Sequence, residues 1–265
     1  MIIDCHTHLN QYGSLENISS LDDRVKKLHL SMTSHNVDYA LVLSSYYVNE
    51  ERPSTEQLIE ATKKYDNIGI VAGYSIDNND GEDLKQYGRW IKDGRVKGLK
   101  IYCGYEHYYP YDKRYQKVYD VCVEFGIPVM IHSGDTFTEK GKLKFSHPIH
   151  VDEVAVDNPE LKVVVCHLGN PWIEDCQEII YKNDNVYADV SGLAVGKFDH
   201  FFEKIMAEKV AELINYAGEP NYLLYGTDWP ISDMDSYLSF VAKLKLKPDY
   251  RDRLMYKNSK ALFKI

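Results

Sequence analysis

Eight short runs rich in β-branched residues recur along the chain, each followed by a polar loop and an amphipathic stretch. They are Ile2–His6, Tyr39–Ser44, Ile68–Ser75, Val96–Tyr102, Pro128–Ser133, Leu161–His167, Val186–Val190 and Tyr222–Asp228. Successive starts are spaced roughly 31 residues apart on average, the length of one strand, one crossover helix and two loops. Helical periodicity falls between them, over Leu21–Asn36, Ser54–Lys64, Gly81–Asp93, Lys113–Phe125, Val151–Asn158, Trp172–Lys182, Phe198–Asn215 and Met234–Leu244. Ser20-Leu-Asp-Asp23 reads as a capping box opening the first of these. Runs such as LKVVVCHLG and IPVMIHS are apolar at nearly every position. Strands covered by helices on both faces read that way, which predicts a parallel sheet. Eight strict alternations predict a closed (β/α)8 TIM barrel of the α/β class. The rival open sheet would bring a glycine fingerprint after the first strand, and none is there.

The 265 residues suit one barrel domain spanning 1–265. No apolar run approaches the ~20 residues of a membrane span. Met1-Ile-Ile-Asp4 lacks the basic and apolar regions of a signal peptide. The 31 basic and 40 acidic residues leave a net charge of −9, against the dense basic stripe that nucleic acid demands. Lys140 to Lys144 holds three lysines beside Glu139 and reads as a solvated loop. The five cysteines form no CxxC pair, which predicts reduced, mostly buried thiols in a cytoplasmic protein.

Polar residues gather where the strands end. By parity Asp4, His6 and His8 share one face of strand 1, and Ile3 and Cys5 the other. If the apolar pair meets the helices, His6 and His8 point into the barrel mouth. Strand 5 ends in His132, strand 6 in His167 and strand 8 in Asp228, while Lys100 stands on strand 4 opposite Leu99 and Ile101. The C-terminal strand ends form the active face of such barrels. Three imidazoles and a carboxylate suit one divalent ion: zinc first, with manganese or iron as alternatives.

DCHTH, GLKIY, IHSGD, HPIHVDEVA, CHLGNPW, GTDWP and the terminal NSKALF together resemble the amidohydrolase-2 branch of the amidohydrolase superfamily, which contains metal-dependent TIM-barrel hydrolases and decarboxylases. The resemblance runs from residue 2 to about 263. It implies His6, His8, His132 and Asp228 as metal ligands and Asp228 as the base that takes the proton of the activated water. It implies that His167 orients or activates that water. Lys100 has three readings: a carbamylated bridge between two metals, a grip on a substrate carboxylate, or a structural barrel lysine paired with Asp4 or another interior acid. TatD-type nucleases share the HxH start but carry a strand-4 glutamate where this chain has VKGLKIY, which argues against a nuclease.

The stretch Tyr102 to Tyr111 holds five tyrosines and overhangs the mouth, so Tyr102, Tyr105 and His107 are read as lining for a planar, acid-like substrate. His29, His35, His147, His150 and His200 are read as structural, and Asp189 and Ser191 carry no assigned role. The leading functional expectation is hydrolysis of an amide, lactone or ester in a small carbonyl substrate. Its rivals are non-oxidative decarboxylation of an aromatic or enol acid and a non-catalytic metal-binding barrel. Homo-oligomerisation is compatible with the fold, and nothing in the sequence marks an interface.

Overall fold

The computed structural model describes residues 1–12, 20–78 and 82–265. Eight parallel strands stand in sequence order: β1 Ile3–Thr7, β2 Tyr39–Leu43, β3 Ile68–Gly73, β4 Val96–Ile101, β5 Val129–Ile131, β6 Val163–Val165, β7 Val186–Asp189 and β8 Leu223–Leu224. Between and after them run α1 Leu21–Ser34, α2 Thr55–Thr62, α3 Glu82–Lys92, α4 Gln116–Phe125, α5 Ile149–Asp157, α6 Ile173–Lys182, α7 His200–Ala217 and α8 Met234–Lys243. The ring closes between β8 and β1 through backbone bonds: Cys5 N donates to Tyr225 O at 2.9 Å and Asp228 N to His6 O at 2.8 Å. This is the expected (β/α)8 barrel. Ser20 caps α1, its hydroxyl accepting from Asp23 N at 3.1 Å and donating to the Asp23 carboxylate at 2.6 Å.

Two apolar cores explain the unbroken hydrophobic runs. Ala40, Val42, Ile70, Ala72, Leu99 and Ile101 face the helices, while Leu41, Leu43, Val71, Met130, Val164 and Leu224 fill the barrel. Residues that alternate along a strand therefore belong to different cores. The floor of the barrel comes from a segment without a strand signature. Helix α9 Pro248–Asp252, a π-helical turn Arg253–Lys257 and α10 Asn258–Phe263 run beneath the strands. There Leu262 and Phe263 join the interior cluster.

Strand β1 corrects the parity expectation. Asp4 pairs with Ala40 and Thr7 with Val42, so three steps on β1 answer two on β2. A bulge of this kind turns consecutive side chains to one side. Cys5 consequently packs inside the barrel with Leu41 and Leu43 rather than against the helices. His6 still points inward, to Asp189 of β7. Strands β6 and β8 are also shorter than expected, because the chain leaves the ladder early to form the turns that carry His167 and Asp228.

In the loop after β4, Glu106 is buried and accepts a 2.5 Å hydrogen bond from Ser75. Burial pushes its carboxyl up to about 7, against the pull of the Ser75 hydroxyl. The native state thus holds a proton that the unfolded chain releases near pH 4.5, so stability falls as pH rises from there through 7. Melting curves between pH 4.5 and 7.5 should show this fall in the natural protein. Glu106→Gln should flatten it by on the order of 2 kcal/mol; parallel curves would contradict the assignment.

Candidate active site

His6 and His8 leave β1 toward the mouth, and the turn after β8 brings Asp228 over them. His8 Nε2 lies 3.2 Å and His6 Nε2 3.8 Å from Asp228 Oδ1. These three groups offer ligand atoms all within 4.8 Å of one another. The far side of each ring is anchored: His8 Nδ1 lies 3.1 Å from Leu43 O, and His6 Nδ1 lies 2.9 Å from Asp189 Oδ2. A carbonyl only accepts, so His8 Nδ1 carries hydrogen and Nε2 is the nitrogen turned toward Asp228. Asp228 Oδ1 is buried and, among the described residues, has no hydrogen-bond partner. A buried carboxylate oxygen without a donor, flanked by the Nε2 atoms of two imidazoles, fits a divalent cation, and the anchored Nδ1 atoms are the outer support such ligands use.

Electrostatics agree with that donor set. Burial holds His6 down at about 4, despite the attraction of Asp189. Burial raises Asp228, but the close approach of His8 and the nearby His6 and His167 outweigh it and leave the carboxyl at about 2. At neutral pH the trio therefore presents one anion and uncharged His6.

His167 sits in a tight turn after β6, with His167 and Leu168 both left-handed at φ 59° and 52°. Its backbone N–H donates to Asp189 Oδ1 at 3.0 Å, and its Nδ1 lies 2.9 Å from Ser191 Oγ and 3.1 Å from Ser191 O. The ring stands 4.8 Å from that of His6, centroid to centroid, and 5.1 Å from that of His132. Burial lowers His167 and, more strongly, His132. His132 is near the trio without joining it. Its Nε2 meets Asp135 O at 2.9 Å, so the nitrogen left with a lone pair is Nδ1.

A chamber of about 50 Å3 above the trio opens into a cleft of about 850 Å3. Tyr102 and Tyr105 line the chamber. Tyr102 donates to Ser44 O at 2.5 Å, and Tyr105 packs edge-on against His132 at 4.7 Å. His107 is a correction. It is exposed, its Nε2 meets Lys140 O at 3.0 Å and its ring stacks on Phe145, outside the chamber. Lys100 reaches the chamber, and its Nζ donates to Cys166 Sγ at 2.6 Å.

Sequence reasoning missed Arg52, Tyr12 and Tyr46, which also line the chamber. The Arg52 guanidinium lies 4.6 Å from the Tyr47 ring centroid and donates to Ser45 Oγ at 3.1 Å. Among the described residues it pairs with no carboxylate. Its only sequence signal was position, in the loop that follows a barrel strand.

No curated protein sequence matches the chain. Solved structures do. A probable 2-pyrone-4,6-dicarboxylic acid hydrolase from Acinetobacter baumannii is 14% identical at TM-score 0.72, covering 100% of this chain and 99% of the other. The 5-carboxyvanillate decarboxylase of Sphingomonas paucimobilis is 12% identical at TM-score 0.69, with coverage of 100% and 99%. A dihydroxybenzoic acid decarboxylase from Polaromonas sp. JS666, solved with bound manganese and 2-nitroresorcinol, is 15% identical at TM-score 0.69, with coverage of 99% and 96%. At these identities the likeness establishes the fold. The sequence profile of the amidohydrolase family matches residues 3–265, and the chain belongs to that family.

Proposed function

We propose that the protein is a metal-dependent, non-oxidative decarboxylase of an aromatic or enol carboxylic acid. The observation that carries this reading is the chamber itself. Tyr46, Tyr102 and Tyr105 wall the space between the donor trio and Arg52, a cation that among the described residues has no carboxylate partner. A ring bearing a carboxylate matches aromatic walls and a guanidinium together. The decarboxylases among the similar structures act on substrates of this kind, which moves the balance from the hydrolysis first expected to its rival.

In this reading His6, His8 and Asp228 hold the ion, with His132 completing the set through Nδ1. Imidazole and carboxylate donors accept zinc, manganese or iron(II). When bound, the ion supplies Lewis acidity to a substrate oxygen. The carboxylate carbon leaves as CO2, the electron pair of the broken bond stays on the ring carbon, and one proton is added there. Asp228 and His167 face the same space and serve as the proton-handling pair. Tyr102 and Tyr105 keep the ring flat against that pair and exclude water. Lys100, at the chamber wall, adds positive charge on the side of Cys166.

Hydrolysis is the second reading, because the same residues would activate a water against a lactone such as a pyrone. The test is a panel of hydroxylated aromatic carboxylates and lactones, incubated with manganese- or zinc-loaded protein in 18O-water. CO2 release without 18O in the organic product is expected. Incorporation of 18O with no CO2 would establish hydrolysis and overturn the proposal.

A further inference from the structure

One side chain outside the donor trio touches both halves of the site. Asp189, at the end of β7 and fully buried, accepts from His6 Nδ1 through Oδ2 at 2.9 Å. Its other oxygen, Oδ1, accepts from His167 N at 3.0 Å, Ser191 N at 3.1 Å and Ser191 Oγ at 2.5 Å. Ser191 Oγ, having spent its hydrogen on Asp189, can only accept from the rings beside it: His167 Nδ1 at 2.9 Å and His6 Nδ1 at 3.0 Å.

We infer that Asp189 is a positioning residue that, directly and through Ser191, fixes His6 and His167 as Nδ1–H tautomers and so keeps both Nε2 lone pairs turned into the site. Every acceptor around the two Nδ1 atoms is an oxygen that cannot donate back. The Asp189 and Ser191 carboxylate and carbonyl oxygens have no hydrogen, and the serine hydroxyl is already committed. The arrangement needs a carboxylate rather than any polar group of the same shape. It rests on the reading of His6, His8 and Asp228 as cation ligands only for its consequence; the tautomer itself is independent of what occupies the site.

Asp189→Asn separates the two. Three donors converge where Oδ1 lies, so the amide oxygen must take that place and the amide NH2 must face His6 Nδ1. Two donors cannot bond each other, and His6 is forced into the Nε2–H tautomer, with a hydrogen where the lone pair toward Asp228 stood. Outer-shell partners of this kind typically change metal affinity by about 10–100-fold.

The experiment is 15N imidazole NMR of the full-length chain stripped of metal, with His6 assigned by comparison with His6→Gln, alongside Zn2+ titration of the same samples. The natural protein should show His6 as Nδ1–H. Asp189→Asn should show Nε2–H and bind Zn2+ about 10–100-fold more weakly. Ser191→Ala keeps the carboxylate and should retain the His6 tautomer with at most a few-fold loss. Asp189→Asn retaining Nδ1–H, or binding Zn2+ as tightly as the natural chain, would overturn the inference. Should that variant fail to fold, Nε2–H at His6 in the natural protein, or its appearance in Ser191→Ala, overturns it instead. A natural chain with His6 as Nδ1–H that takes up neither Zn2+ nor Mn2+ would support the role of Asp189 while refuting the metal reading.

Discussion

Asp228→Asn should lower kcat for the decarboxylated substrate by about 10³-fold or more while leaving the fold intact. The amide has the shape of the carboxylate, so the loop after β8 and its backbone bonds to β1 are kept. What disappears is the negative charge of the trio, carried on an oxygen that has no other partner. Two losses then compound. In the proposed reading the remaining donors, His6, His8 and His132, would hold a divalent ion less tightly without that charge. The acid–base step also loses its carboxyl, an effect of about 10²–10⁴ by itself. Saturating metal should restore occupancy without restoring turnover, which separates the losses. A variant keeping a tenth of the natural rate at saturating metal would remove Asp228 from the chemistry.

The second large effect is expected at Gly192, the turn residue after Ser191. Its φ is +61°, and a Cβ built there would lie 2.5 Å from His167 Nδ1 and 3.1 Å from Asp228 Oδ2. Gly192→Ala thus carries left-handed strain and a collision with the ring that Ser191 holds in place. The strain alone costs about 1–2 kcal/mol. Moving the His167 ring breaks its bonds to Ser191, and displacement by an ångström of a positioned group costs about 10²-fold in rate. Gly196 is the internal control. It has φ +71° but nothing within 4 Å of its added Cβ, so Gly196→Ala should show the strain and leave kcat/KM unchanged. Equal activity losses in the two variants, by urea midpoint and steady-state kinetics, would refute the collision.

The residues that meet at the site were legible because barrel topology converts position in the chain into position in space. His6, His8, His167 and Asp228 each close a run of apolar residues, and the ends of parallel strands share one face. Parity failed within β1, since a one-residue bulge is a property of the pairing with β2 and leaves no mark on composition. Arg52 and Tyr46 lie in a loop whose course depends on packing against the β4 loop. Of the tyrosines in Tyr102 to Tyr111, only Tyr102 and Tyr105 turn to the chamber. Tyr108 donates to Asp77, and Tyr109 and Tyr111 stack on each other. The floor helices escaped notice because the strand–helix rhythm had already been used up by Leu244.

Barrel closure has a consequence for how the protein is made. Asp4 accepts from Thr227 across 223 positions of sequence, at the same seam where His6 and His8 meet Asp228. During synthesis, which proceeds from the N-terminus, the first strand can pair with β2 early but must wait for about 220 further residues before its second neighbour, β8, emerges. The nascent chain cannot complete the donor trio until the last strand has joined, so ion capture reports finished assembly rather than any partial intermediate. An ion seated there binds only the closed form and biases the whole ring toward it by mass action. The cation would then act as a clasp between the first and the last strand of the barrel as well as a reagent.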